Sequence, residues 1–303
     1  MSVQLSYEQF CQRFSTEKEC VSALYQLKWP NGFHCPRCQS ASYTLISTRR
    51  LPLYECRSCL HQTSLISGTV MEGSRTLLQK WFRAIFLIAS PSSAINAVKL
   101  AEIIEVTYKT AWLILHKLRH AIGHHNANQL LEGIIKINAT TYGKPYNPTI
   151  FRHPQEHPLL GGASINAQGA ITHLKIQQVE ERFLAPNSSH VLPAGVAHFQ
   201  EHYVVPNPVD VVSFTGKRAK LLYQPLIRLC KEAYYWLNDT FHGIGGKHLQ
   251  AYLHEFCFTV NYALQQQCPF TQLCQLGATT ARITYKRLIR KNTASAAKQP
   301  LAA

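Results

Sequence analysis

Four cysteines in two tight pairs carry the clearest chemistry in this chain. Cys35-Pro-Arg-Cys38 and Cys56-Arg-Ser-Cys59 stand seventeen residues apart. Tetrahedral zinc takes four thiolates, each CxxC turn offers two, and about 15 to 20 residues is the length of the hairpin that joins two such turns. The pattern reads as a zinc ribbon with Cys35, Cys38, Cys56 and Cys59 as ligands. Protein fills all four ligand positions, so the zinc is structural and no site is left open for a reacting water. The other six cysteines, Cys11, Cys20, Cys230, Cys257, Cys268 and Cys274, lack any such spacing and read as small hydrophobes.

The acidic inventory is unusual. Of 16 carboxylates only two are aspartates, Asp210 and Asp239, which leaves little material for a cluster that holds divalent metal ions. Fifteen histidines invite a second metal site, but His248 and His254 are six apart on one predicted helix, which is not a chelating step. The histidines are read instead as solvated or capping.

Charge points to the partner. The chain holds 31 Lys and Arg against 16 Asp and Glu, a net charge of +15, so a polyanion is the natural ligand and double-stranded DNA the natural candidate. The excess is concentrated: residues 1–125 hold 14 basic against 7 acidic side chains, and residues 282–303 hold 6 against none. A hydrophobic fraction of 46% with 16% charged residues is that of a globular protein with a sizeable core, not of a disordered chain. No apolar run reaches the ~20 residues of a membrane span, and the first residues are too polar for a secretory signal. The reading is a cytoplasmic protein without a membrane partner, in a reducing compartment where paired CxxC motifs bind metal.

The elements that must position these residues follow from periodicity. Residues 1–28 read as a helical N-terminal segment, broken by Trp29-Pro-Asn-Gly32. Residues 29–66 are the ribbon, with strand-like stretches at Tyr43 to Thr48, Leu51 to Glu55 and Gln62 to Ile66. Residues 67–125 turn helical, and Ala97 to Ile104 followed by a helix from Thr107 to about His120 has the form of a helix-turn-helix, with Thr107 as N-cap. In that motif the first residues of the second helix reach base edges, here Tyr108, Lys109 and Thr110, while Lys117 and Arg119 are placed for phosphates or solvent. An ordinary three-helix bundle fits the same pattern. Trp81, Trp112 and Trp236 lie on apolar helical faces and read as core. The N-terminal ~125 residues are expected to bind duplex DNA on their own.

Residues 130–266 change to an α/β pattern. Gly133 to Asn138, Leu159 to Ile165 and Ala170 to Ile176 read as strands, the last two joined by an Asn166-Ala-Gln-Gly169 hairpin turn. Val191-Leu192 and Val209 to Phe214 read as two further strands, and helices are expected at Arg218 to Leu237 and Lys247 to Leu264. Residues 267–303 read as a basic, partly disordered tail.

Three stretches resemble the bacterial insertion-sequence transposases of the ISXO type, relatives of the Merlin elements. They are Trp29 to Cys38 with Tyr54 to Cys59 and Ser67-Gly-Thr-Val70; Val106 to Trp112 through His116-Lys-Leu-Arg119; and Phe241-His-Gly-Ile with Lys247 to Phe256 through Asn261. Together they span residues 29 to 262. The resemblance implies a fold of the α/β class, an N-terminal zinc ribbon and helix-turn-helix followed by a ribonuclease-H-like domain. It also implies a cut-and-join activity on inverted repeats through two magnesium ions held by two aspartates and a third polar residue.

The chain departs from that pattern where the chemistry would lie. Asn138 stands at the first aspartate position and Ala194 is read at the second, in Pro193-Ala194-Gly195-Val196, with the preceding loop shortened as if an intervening helix were trimmed. Glu232 falls at the third position as a remnant. One carboxylate should hold magnesium poorly. The leading reading is therefore a DNA-binding transposase relative that recognises element ends and no longer cuts, with a possible homo-oligomer. Its rivals are an active magnesium-dependent enzyme with relocated ligands, and a zinc-ribbon regulator of transcription.

Overall fold

A computed structural model describes residues 6–90, 94–143, 151–216 and 223–289. Two short helices open the chain, α1 (Tyr7–Arg13) and α2 (Glu17–Lys28), each started by a reciprocal capping box: Ser6 with Gln9, and Thr16 with Glu19. The ribbon follows as an antiparallel sheet in the order β1 (Tyr43–Ile46), β2 (Leu53–Cys56), β3 (Gln62–Ser64). Three helices come next, α3 (Leu78–Ala89), α4 (Ala97–Ile103) and α5 (Tyr108–Asn128). The last runs eight residues beyond the expected end near His120.

The second half is built on a four-stranded sheet in the order β6-β5-β4-β7, with β4 at Ile134–Tyr142, β5 at His157–Ile165, β6 at Ile171–Gln178 and β7 at Asp210–Phe214. The first three strands in sequence pair antiparallel, and β7 returns parallel to β4. The β5–β6 turn is the expected one: Gly169 takes φ +78°, and the Asn166 side chain accepts from the Gln168 and Ala170 amides.

Helices cover both faces of this sheet. On one lie α7 (Gln224–Phe241) and α8 (Gly246–Leu264), burying Leu226, Cys230, Leu237 and Leu253 against Leu159 and Leu174. On the other, α6 (Pro193–Tyr203) buries Phe199 and Val196 against Ile137 and Leu160. Two adjacent glycines make this close approach possible. A Cβ on Gly161 would lie 2.8 Å from the Cys230 sulfur, and one on Gly162 would lie 2.7 Å from Phe199.

Helix α6 corrects the sequence reading, which names no helix between β6 and β7 and places a strand at Val191-Leu192. Val191 makes only an isolated bridge to Leu184. Pro193, which looks like a breaker, sits in the first helical turn, where its missing N–H has no intrahelical acceptor to serve. The expected start of α7 at Arg218 and the expected disorder of residues 292–303 lie outside the described residues.

The tail reading is corrected in part as well. Pro269–Thr279 form helix α9, followed by the short α10 (Tyr285–Leu288). Leu273, Cys274 and Ala278 of α9, with Phe258 of α8, are buried in the same core as Phe10, Leu24, Phe82 and Leu115. Residues 1–125 therefore share their core with α8 and α9.

Candidate functional site

The ribbon brings the four cysteine sulfurs within 4.8 Å of one another. Cys35 and Cys59 Sγ are 3.6 Å apart, Cys38 and Cys56 Sγ 3.5 Å. Zinc–sulfur bonds of about 2.3 Å in a tetrahedron put sulfurs about 3.8 Å apart, so the cage fits zinc with a small expansion. The two knuckles are built alike. Cys35 N–H donates to Ser40 O and Gln39 N–H to Cys35 O; Cys56 N–H donates to His61 O and Leu60 N–H to Cys56 O. Burial pushes the Cys56 thiol up, but the N–H groups of Cys59 and Ser58 outweigh it and hold its pKa down at about 6, which favours the thiolate that a metal needs.

Around the cage, Tyr25, Trp29, Phe33, Tyr43 and Tyr54 pack ring against ring with centroids 4.9 to 5.5 Å apart. Lys28 Nζ donates to the carbonyls of Ser64, Leu65 and Ser67, tying α2 to the end of β3 and the turn after it. Burial lowers its pKa to about 8.

At the other candidate interface, Asn96 caps α4 and Thr107 caps α5, the Thr107 hydroxyl accepting from Thr110 N–H at 3.3 Å. Glu105 at φ +52° makes the turn between them. Thr107, Tyr108 and Lys109 are exposed and Thr110 half-buried, so this end of α5 is open to a partner.

Lys117 and Arg119 are not. Their expected place toward phosphate or solvent is corrected by burial: only 6% of Lys117 and 1% of Arg119 is exposed. Lys117 Nζ donates to Val70 O at 2.8 Å and to Glu72 O. Arg119 Nε pairs with the buried Glu255 carboxylate of α8 at 2.5 Å, and its guanidinium lies 3.8 Å over the Tyr252 ring. Such a pair fixes how α5 meets α8, since loss of either partner strands a charge in the core.

The residues read as positions of a catalytic centre lie apart. Asn138 is buried in β4, and its Oδ1 accepts from the Tyr223 N–H, the N-cap of α7, at 3.1 Å. Ala194 lies in the first turn of α6, on the opposite face of the sheet, so it cannot be the partner position read for it. The residue whose Cα faces Asn138 on the parallel strand is Phe214. Glu232 is exposed on α7, nine residues beyond Tyr223, or roughly 13 Å along the helix at 1.5 Å per residue. Asp210 opens β7 opposite Ile134, four residues from the Asn138 level, and Asp239 is exposed near the end of α7. Among the described residues, the four cysteines are the one group of three or more His, Cys, Asp or Glu that could share an ion.

The histidine reading needs correction too. His116, His120 and His124 follow one another at helical steps of four on α5, as do His198 and His202 on α6, and this spacing was available in the sequence. His116 is 3% exposed and stacks on Trp112 at 3.9 Å and near His248 at 5.1 Å, so it is packed rather than solvated.

A closed four-thiolate cage on a ribbon, leading into a capped helix pair and a mixed sheet, defines a zinc-ribbon protein of modular build. Residues 15–62 match the Transposase zinc-ribbon domain, and 126 residues of the chain are 29% identical to the "Uncharacterized protein in transposable element ISH50" of Halobacterium salinarum, covering 41% of this chain and 42% of that protein. Over residues 15–62 the chain is thus similar to the zinc ribbon of IS1595-type transposases. It spans about two fifths of the length of the curated relative it matches. No solved structure matches it.

Proposed function

We propose that the chain is a DNA-binding relative of the ISXO transposases that recognises element ends without cutting them. The α4–α5 pair acts as a helix-turn-helix, with Tyr108, Lys109 and Thr110 of α5 entering the major groove. The β4-β5-β6 antiparallel run, α6 and the parallel β7 have the strand order of a ribonuclease-H-like sheet, which supports that reading of the second half.

One observation carries the loss of cleavage: a neutral amide, not a carboxylate, stands at position 138, and its oxygen accepts from the N–H of Tyr223. Its neighbour across the parallel strand is Phe214, which has no ligand atom, and Glu232 lies well along α7. In-line displacement at a phosphate needs two metal ions a few ångströms apart to steady the attacking and leaving oxygens. Among the described residues these offer no such clamp, so magnesium should not support cleavage by the unmutated protein.

The test is cleavage of a labelled inverted-repeat end by the unmutated protein with Mg²⁺ or Mn²⁺. The expected result is binding without a nick. Asn138→Asp keeps an acceptor for Tyr223 and should fold, yet should remain inactive because Phe214 supplies nothing. Metal-dependent cutting by the unmutated chain that disappears in Glu232→Ala would overturn the reading.

A further inference from the structure

Three basic segments far apart in sequence meet beside the exposed end of α5. Trp112 of α5 lies 5.9 Å from the ring of His248, which follows Lys247 at the start of α8, and 5.9 Å from the ring of Tyr285 in α10. Lys109 Nζ sits 5.9 Å over that same Tyr285 ring. Arg287 is close enough to His120, eight residues and about two turns beyond Trp112 on α5, to act on its charge after burial and His124 have done so.

Lys109, Lys247, Lys286 and Arg287 are all exposed. Among the described residues none of these four is in an ion pair, whereas Arg282, just before α10, is tied to Glu72 at 3.6 Å. Beside them Tyr108, 57% exposed, stands at the same end of α5 as Lys109, and Tyr285, 46% exposed, precedes Lys286 in α10. Cations interleaved with aromatic rings suit a phosphate backbone with sugars and bases alongside. They would suit an acidic protein less well, since an open row of long basic side chains offers no closed pocket.

We propose that Lys247, Lys286 and Arg287 form a phosphate clamp that grips duplex DNA beside the groove entered by Tyr108 to Thr110, so that the chain's C-terminal segment is part of the DNA-binding surface. This rests on the DNA-binding reading above. The segment's place is held by its own chemistry: Thr284 caps α10 by accepting from Arg287 N–H, Ile283 is buried, and Arg282 pairs with Glu72.

The experiment uses the full chain and a duplex of random sequence, with affinity measured as salt is raised. Each phosphate contact contributes about 0.9 to the slope of log affinity against log salt concentration. Lys247→Ala, Lys286→Ala and Arg287→Ala together should therefore lower the slope by about 2.7. Zinc content and circular dichroism check that the variant folds, and Lys18→Ala with Arg182→Ala, exposed cations on α2 and before α6, serve as a charge control that should leave the slope unchanged. If the unmutated chain binds duplex DNA but the triple variant keeps its slope, or loses it no more than the control does, the clamp is wrong and the DNA reading survives. If the unmutated chain does not bind duplex at any salt, both fall. Loss confined to a single-stranded probe would also overturn the assignment.

Discussion

Gln39 and Leu60 occupy the same place in the two knuckles, one residue past the second cysteine of each pair, and both are held in the left-handed region, at φ +60° and +55°. That conformation costs a residue with a Cβ roughly 1 to 2 kcal/mol, more than the ~0.5 to 1 kcal/mol of chain entropy that glycine gives up on folding. Leu60 is 71% exposed, so its side chain contributes little packing in return. Leu60→Gly should raise stability by about 0.5 kcal/mol, visible as a higher melting temperature of the zinc-loaded protein; a lower one would show that the leucine is packed in some state not described by these contacts. The four cysteine ligands were legible from spacing alone because zinc coordination fixes both the residue type and the loop between pairs. Arg119 was not, because its partner Glu255 lies 136 residues away and nothing local distinguishes a paired arginine from one turned to solvent.

Helix α3 shows how an element can borrow its start from another. Leu77 at its N-cap makes no side-chain bond, and the Glu17 carboxylate of α2 accepts instead from the Leu78 and Gln79 amides at 3.1 and 3.4 Å. Glu17 also pairs with Arg50 at 2.5 Å, an arginine whose side chain is 39% exposed. The two roles differ in weight, since a helix cap contributes about 1 kcal/mol and an exposed ion pair about 0 to 1. Glu17→Ala should therefore cost about 1 to 2 kcal/mol and Arg50→Ala less than about 0.5 in thermal or denaturant unfolding. Equal losses would mean that the ion pair, not the cap, is what matters. Periodicity found most helices but missed α6, where a proline in the first turn resembles a loop, and it stopped α5 near His120, where a run of histidines hid a continuing buried face.

For the whole molecule, half-buried histidines make stability depend on pH. Burial lowers His120, His173 and His254 to about 4, helped by the charges of His124 and Arg287 at the first, Lys175 and His125 at the second, and Lys175 at the third. In the unfolded chain each takes a proton near 6.5, whereas the folded chain resists until about 4. Between those values the unfolded state binds more protons, so stability present above about pH 6.5 is lost as pH falls toward 4. The melting temperature should drop between pH 7 and pH 5, and His173→Gln should flatten that drop; a midpoint insensitive to pH across this window would contradict it. The α/β class of the second half and the clustered charge at both ends of the chain could be read from pattern and composition. How the ends meet could not, because the apolar faces of α9 and of α2 and α3 each read as an ordinary amphipathic helix until they are seen filling one core.

That shared core has a consequence in time. The ribosome delivers the chain from its N-terminus, yet the first half waits for Leu273, Cys274 and Ala278 before its interior is filled. A chain that stopped anywhere ahead of α9 would lack those three side chains, so a truncated product should be the less stable one even where the whole of its first half is translated.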